Sequence, residues 1–198
     1  MNNKVIIITG GCGLIGRSLK AYLSKDNHVI ALSHDNCDIT SPFDRRDLVS
    51  FAMSKYGKID VLINCTGIMV FNSLLNVTDD EIEKTLDVNF KSTVSLIRDV
   101  VPHMFKQKDG GYIINISSIR GISGCPNKSI YSASKFALQG FTDSLRYELE
   151  NTDVRITNIC PGSVPSSVTC EDINITVDYL LNLNKNTIVR NVILGGKL

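Results

Sequence analysis

Tyr131-Ser132-Ala133-Ser134-Lys135 is the stretch whose residue types and spacing point most directly to chemistry. Tyr131 and Lys135 stand four positions apart, so on a helix they lie one turn apart on the same face. An ammonium beside a phenol favours the phenolate and lowers its pKa from about 10 toward the working range. Such a tyrosine exchanges a proton with a substrate oxygen, as interconversion of an alcohol and a carbonyl requires. Taken alone, the pair is more often a plain helix-surface contact. Ser118 changes the weighting. It follows the apolar run Ile113-Ile114-Asn115-Ile116-Ser117, at the carboxyl edge where open α/β sheets bind ligands. A serine hydroxyl there can hydrogen-bond a substrate oxygen as charge develops on it.

A second constellation is the loop Thr9-Gly10-Gly11-Cys12-Gly13-Leu14-Ile15-Gly16, between an apolar β-branched run and a helical pattern. Glycines let the backbone turn tightly and approach a pyrophosphate, while a helix N-terminus offers free N–H groups and a positive dipole. A ligand-free β-α turn reads similarly, but the strand before and the helix after favour a dinucleotide. No Gly-Lys-Ser/Thr follows, which excludes a Walker-type phosphate loop. The second strand ends at Ser33 and His34, where an NAD-reading fold commonly has an acid; Asp35 stands just beyond. The cofactor expectation is NADP or NAD, leaning to NADP.

These groups need a rigid frame, and the chain supplies a pattern for one. Its 198 residues fit one domain, 1–198, and the net charge of +1 carries no basic concentration for nucleic acid or a membrane surface. No apolar run approaches the roughly 20 residues of a membrane span. Strand runs are read at Val5–Thr9, His28–Ser33, Asp60–Asn64, Gly111–Ser117, Val154–Cys160 and within 187–194. Helical patterns start after Gly13, at Pro42 (with Leu48, Phe51 and Ala52 as its stripe), at a Thr78–Glu81 capping box running unbroken to about Phe105, and at Tyr131. A short helix is expected near Val177–Leu183. Alternating strands and helices imply an α/β fold, a single doubly wound parallel sheet of Rossmann type with helices on both faces. The six cysteines are scattered, with neither zinc spacing nor a secretion signal, so free thiols in the cytoplasm and no metal are expected.

In order along residues 4 to about 165, the glycine loop, Asp38-Ile39, Asn64-Cys65-Thr66-Gly67, Asn89, Ser118, Tyr131, Lys135 and Pro161-Gly162 resemble the short-chain dehydrogenase/reductase family, and the thirteen-residue step from Ser118 to Tyr131 fits it. The resemblance implies proton exchange by Tyr131, pKa control and ribose binding by Lys135, carbonyl orientation by Ser118 and a water-mediated relay through Asn89. It also implies cofactor contacts at Gly10, Gly13, Leu14, Ile15, Gly16, Ser33, His34, Asp38, Ile39, Asn64, Gly67, Pro161, Gly162 and Val164. The implied partners are a small carbonyl or alcohol substrate and a second copy of the chain, as homodimer or homotetramer.

The sequence also departs from the family. Only four residues separate Ser33 from Asp38, so a crossover helix and a full strand are reduced or lost. The central glycine at position 13 is spaced as in sugar-nucleotide epimerases, although the chain has no room for their substrate domain. After Gly162 only 36 residues remain. The substrate loop, about 163–176, is therefore expected to be short and polar, and Leu194-Gly195-Gly196 to close the last strand. Beside an oxidoreductase stand two other readings: a cofactor-binding protein without turnover, and an epimerase-like enzyme.

Overall fold

Six short runs of branched residues form one parallel sheet: β1 (Val5–Ile8), β2 (His28–Ala31), β3 (Val61–Asn64), β4 (Gly111–Ile116), β5 (Val154–Pro161) and β6 (Asn191–Leu194), in the order β2-β1-β3-β4-β5-β6. The computed structural model describes residues 3–34 and 36–195; Asp35 and Gly196, which the sequence reading invoked, lie outside them. Alternate strand residues feed two cores. Ile7, Leu62, Ile113 and Ile156 pack with α2 (Pro42–Tyr56), α4 (Ser92–Met104) and residues bordering α5 (Ser129–Glu148). Ile6, Ile8, Ile63 and Ile114 pack instead with α1 (Leu14–Leu23) and α6 (Cys170–Asn182). Both sheet faces are thus covered by helices, which is why the central strands are apolar throughout rather than alternating. Among the described residues no helix is long and apolar enough to cross a membrane.

Local signals set the helix ends. Ser41 Oγ accepts the Asp44 N–H at 3.3 Å, with Pro42 opening α2 and Gly57 closing it at φ +71°. Thr78 and Glu81 form the expected capping box at the start of α3 (Asp79–Leu86).

The structure corrects five expectations. The helix from Asp79 is interrupted by a π-helical turn, Asp87–Lys91, before α4 begins. Helix α5 starts two residues before Tyr131, at Ser129. Helix α6 begins at Cys170 rather than near Val177, because Thr169 and Asp172 cap each other and Ile173, Val177, Leu180 and Leu181 make a buried stripe. The irregular part of the expected 163–176 loop therefore ends at residue 169. In α2 the buried stripe is Leu48, Val49 and Ala52, while Phe51 is half exposed beneath the Lys55 ammonium. Between β2 and α2, the described residues 32–34 and 36–41 hold neither helix nor strand, and β2 is the sheet edge.

Candidate active site

Strand β1 ends in the glycine loop at the carboxyl edge. Gly10 adopts φ +66°, and a Cβ there would lie 2.9 Å from the Cys65 carbonyl oxygen; a Cβ on Gly16 would overlap the Gly10 carbonyl. Only glycine lets α1 start this close to the strand. The Gly13 N-cap offers no side-chain acceptor to the first N–H groups of α1, and no acidic residue stands in its first turn. That leaves the helix N-terminus available to an anion, so the loop fits a dinucleotide pyrophosphate. Replacement of Gly16 by alanine is expected to weaken dinucleotide binding at least tenfold and to lower stability by about 1–3 kcal/mol. Fluorescence titration and thermal melting check both, and unchanged values in both would remove the loop from the site.

Gly10, Gly13, Ser33, His34, Asp38, Ile39 and Gly67 line one cleft of about 840 Å³, so seven of the expected contacts converge there. The opposite wall, which the sequence reading missed, is the face of α3 and the following turn carrying Asp80, Glu83, Lys84 and Asp87. Their spacing of three or four is visible in the sequence, but which face of the helix lines the cleft with residues 32–34 and 37–40 is not. Leu14, Ile15, Gly16, Asn64, Pro161, Gly162 and Val164 do not line this cleft. The Leu14 side chain is mostly exposed, and Gly16 is buried beneath Gly10. Gly162 donates its N–H to the Leu194 carbonyl at 2.9 Å, joining β5 to β6 at the sheet edge.

Asn64 is spent inside the sheet. Asn64, Asn115, Asn158 and Asn191 stand in register across β3 to β6. The Asn64 amide donates to Asn115 Oδ1 at 2.8 Å, and Asn115 donates to Asn158 Oδ1 at 3.1 Å. Asn158 donates to Gln139 Oε1 at 2.9 Å, and Gln139 donates to Asn191 Oδ1 at 3.0 Å. This series of amide bonds, fully buried at Asn115 and Asn158, holds these strands and α5 in one register, while Asn64 Oδ1 is buried without a hydrogen-bond partner among the described residues. Ser118 lies three residues beyond Asn115, and Gln139 lies one turn beyond Lys135.

Ser118, Tyr131 and Lys135 meet at this edge. Ser118 is buried; its Oγ accepts the Arg120 N–H at 3.1 Å, which leaves the hydroxyl proton free to donate. Burial pushes the Tyr131 phenol above its ordinary value, and the Ser118 hydroxyl bonded to it pulls the other way. The Lys135 ammonium sits 5.8 Å from the Tyr131 ring centroid and donates to the Ile116 carbonyl at 3.3 Å. Burial lowers Lys135 to about 8, while the neighbouring Cys65 and Cys160 thiols act in the opposite direction. Burial thus outweighs the Ser118 hydrogen bond, and the expected lowering of the phenol by Lys135 is not seen in the free protein, where Tyr131 stays protonated at neutral pH.

Asn89 lies in the π-helical turn, a feature frequent at functional sites. Its Oδ1 accepts the Ile68 N–H at 2.8 Å, and its Nδ2 donates to the Ile68 carbonyl at 2.8 Å and to Ser134 Oγ at 3.0 Å. The Ser134 hydroxyl in turn donates to the Tyr131 carbonyl at 2.7 Å. Asn89 thus ties the loop after β3 to the helix of Tyr131 and Lys135. Gly67 runs between them: a Cβ there would lie 3.4 Å from Asn89 Oδ1 and 3.5 Å from Lys135 Nζ. Ser134 was not singled out from the sequence, although it directly precedes Lys135.

With this geometry in hand, the comparisons acquire meaning. The family profile described as short chain dehydrogenase matches residues 33–174. A 3-ketodihydrosphingosine reductase of Bacteroides thetaiotaomicron is 31% identical over 181 residues, covering 85% of this chain and 67% of its own. An uncharacterized oxidoreductase of Staphylococcus saprophyticus is 32% identical over 187 residues, covering 83% of this chain and 80% of its own. Among solved structures, a metagenomic short-chain oxidoreductase in complex with NADP superposes with a TM-score of 0.90 at 25% identity, covering 100% of this chain and 98% of its own. A 4-hydroxyisoleucine dehydrogenase complexed with NADH and succinate gives 0.87 at 29% identity, covering 96% and 98%.

Proposed function

The chain belongs to the short-chain dehydrogenase family, and from that premise we propose that Tyr131 is the acid–base residue of an NAD(P)-dependent oxidoreductase interconverting a carbonyl and an alcohol. The observation that carries this reading is the meeting of Ser118, Tyr131 and Lys135 beside a glycine-cradled cleft of dinucleotide size.

The glycine loop with Leu14 and Ile15 would take the pyrophosphate, Ser33 and His34 the adenosine ribose, and Asp38 with Ile39 the adenine. Asn64 would offer its Oδ1, which is buried without a hydrogen-bond partner among the described residues, while its amide nitrogen is committed to Asn115. Gly67, Tyr131 and Lys135 would hold the nicotinamide ribose, bordered by Pro161, Gly162 and Val164. When bound, the nicotinamide supplies or takes up the hydride. The protein's own work is proton transfer and positioning. Ser118 donates to the substrate oxygen, and Tyr131 gives that oxygen its proton in reduction. Lys135 keeps positive charge beside the oxygen as it becomes anionic. Asn89 acts by fixing Ile68 and Ser134, and a water beside Gly67 would continue the relay from Lys135. The substrate enters along residues 163–169 and the first turns of α6, to about 176.

NADP is favoured by a local argument. The Asp38 carboxylate accepts from Thr40 N and Thr40 Oγ1, at 2.9 and 2.7 Å, and also faces His34 Nδ1 at 3.9 Å, so Ser33 is left to meet a 2′-phosphate while His34 would be shared with Asp38. Asp80, Glu83 and Asp87 across the cleft keep the preference small. The cysteines among the described residues are free, as suits the reducing cytoplasm. Exposed Leu86, Phe136 and Tyr147 on α3 and α5 suit packing in a homodimer or homotetramer.

The test titrates the protein with NADPH and NADH, then follows loss of reduced nicotinamide absorbance with ketones, aldehydes and keto-sugars. Tighter NADPH binding by a few-fold and turnover of simple carbonyls are expected. Binding without oxidation across the whole set would overturn the catalytic reading, and tighter NADH binding would overturn the NADP preference.

A further inference from the structure

The connection from β3 to α3 carries the largest run of exposed apolar side chains beside the active site. Met69, Phe71, Leu74 and Leu75 are 57%, 65%, 71% and 94% exposed. From Thr66 to Val77 no residue is charged. Single exposed apolar residues are ordinary, but a contiguous apolar surface beside a site marks what the site receives. The first half of this segment is held at two points, Ile68 and Asn72. Asn89 clamps Ile68 at its root, and the Asn72 N–H donates to the Asn127 carbonyl at 2.9 Å, two residues before α5 begins. The Lys128 ammonium lies 5.6 Å from the Phe71 ring centroid, three residues before Tyr131. The expected substrate loop is itself short, because α6 starts at Cys170 and only residues 163–169 remain irregular.

We propose that Met69, Phe71, Leu74 and Leu75 form the binding surface for the hydrocarbon tail of the substrate, so that the enzyme acts on carbonyl compounds bearing a long apolar chain. The proposal rests on the oxidoreductase reading above. The tail leaves the carbonyl at Tyr131, passes the Phe71 ring and lies along Leu74 and Leu75, removing their surface from water. Each methylene laid on this surface is expected to raise kcat/KM about twofold or more, below the roughly fourfold of complete burial.

The experiment uses the full chain with its preferred reduced cofactor and straight-chain 2-ketones or aldehydes of about four to about ten carbons. A steady rise of kcat/KM with chain length is expected. In the double variant Leu74→Asn, Leu75→Asn, the ratio of kcat/KM between the longest and shortest members collapses, while the melting temperature stays within about 2 °C because both side chains face solvent. Turnover of short and long members at the same kcat/KM overturns the proposal and leaves the oxidoreductase reading standing. Cofactor binding with no turnover at any length overturns both. Light scattering closes the remaining case: loss of the oligomer in the variant with an unchanged chain-length slope assigns the surface to a second copy and overturns the proposal.

Discussion

Tyr131→Phe is expected to lower kcat by about 10²–10⁴, the range general acid–base catalysis supplies, while the cofactor dissociation constant stays within about twofold. The two quantities separate because most of the expected cofactor contacts lie in the large cleft, whose walls come from the glycine loop, residues 32–34 and 37–40, and α3, whereas Tyr131 is one of three groups proposed at the nicotinamide ribose. Folding stability changes little, since the lost hydroxyl has one protein partner, Ser118, and a hydrogen bond of this kind contributes about 1 kcal/mol. The pH profile sharpens the test. Burial holds the phenol above its ordinary value of 10.0, so it is protonated at neutral pH and ready to donate in reduction. Oxidation needs the phenolate, so the wild-type oxidation rate should climb as pH is raised from neutral, while the reduction rate does not. The residual rate of the phenylalanine variant should lose that climb. Stopped-flow and steady-state rates in both directions check this, and an unchanged kcat would remove Tyr131 from the reaction.

What the sequence shows of this fold depends on whether a signal is local. Val5–Ile8, Val61–Asn64 and Gly111–Ile116 are buried at every position, and continuous apolar runs of that length announce central parallel strands. The Thr78–Glu81 box and Gly57 mark helix ends by residue type alone. The lost crossover was readable from the four residues between Ser33 and Asp38. That the α3 face would line the same cleft as residues 32–34 and 37–40 was not, because that meeting depends on the sheet order. The π-helical turn at Asp87–Lys91 was hidden for another reason: one extra residue in a helical turn leaves the spacing of Phe90 and Ile97 compatible with an unbroken helix. The start of α6 did carry a signal in Thr169 and Asp172. Polar Glu171, Asp172 and Asn174 disguised it as loop, and only Asn174 finds a distant partner, donating to Ser18 Oγ at 2.9 Å. Of the site, residue types and order were legible. The asparagine register from Asn64 to Asn191 was not, since it joins residues from four strands.

The depth of Lys135 was equally invisible in a helical pattern, and it leads to an outcome in which stability and turnover move oppositely. Lys135→Met is expected to lower turnover at least a hundredfold and yet to raise stability at pH 7. The side chain is 4% exposed and its ammonium donates to one carbonyl, that of Ile116. Burial lowers its pKa from 10.5 to about 8, so the folded chain holds this proton more weakly than the unfolded chain does. Below about pH 8 the lysine is charged in both states and folding bears the full desolvation penalty, about 3 kcal/mol for a shift of that size. As pH rises through 8 toward 10.5 the folded state releases the proton first, and the penalty shrinks. Methionine has nearly the same length and no charge to desolvate. It forfeits the bond to Ile116, about 1 kcal/mol, so a net gain of about 2 kcal/mol remains at pH 7, or roughly 4–8 °C in Tm for a chain of this size. The gain should fall as the melts are repeated at higher pH, whereas a packing effect would be independent of pH. A methionine variant less stable than wild type at pH 7 would show that the buried ammonium holds the fold together. The expected result instead places Lys135 among residues kept for the reaction at the expense of the fold, a conflict that local sequence rules predict at functional sites.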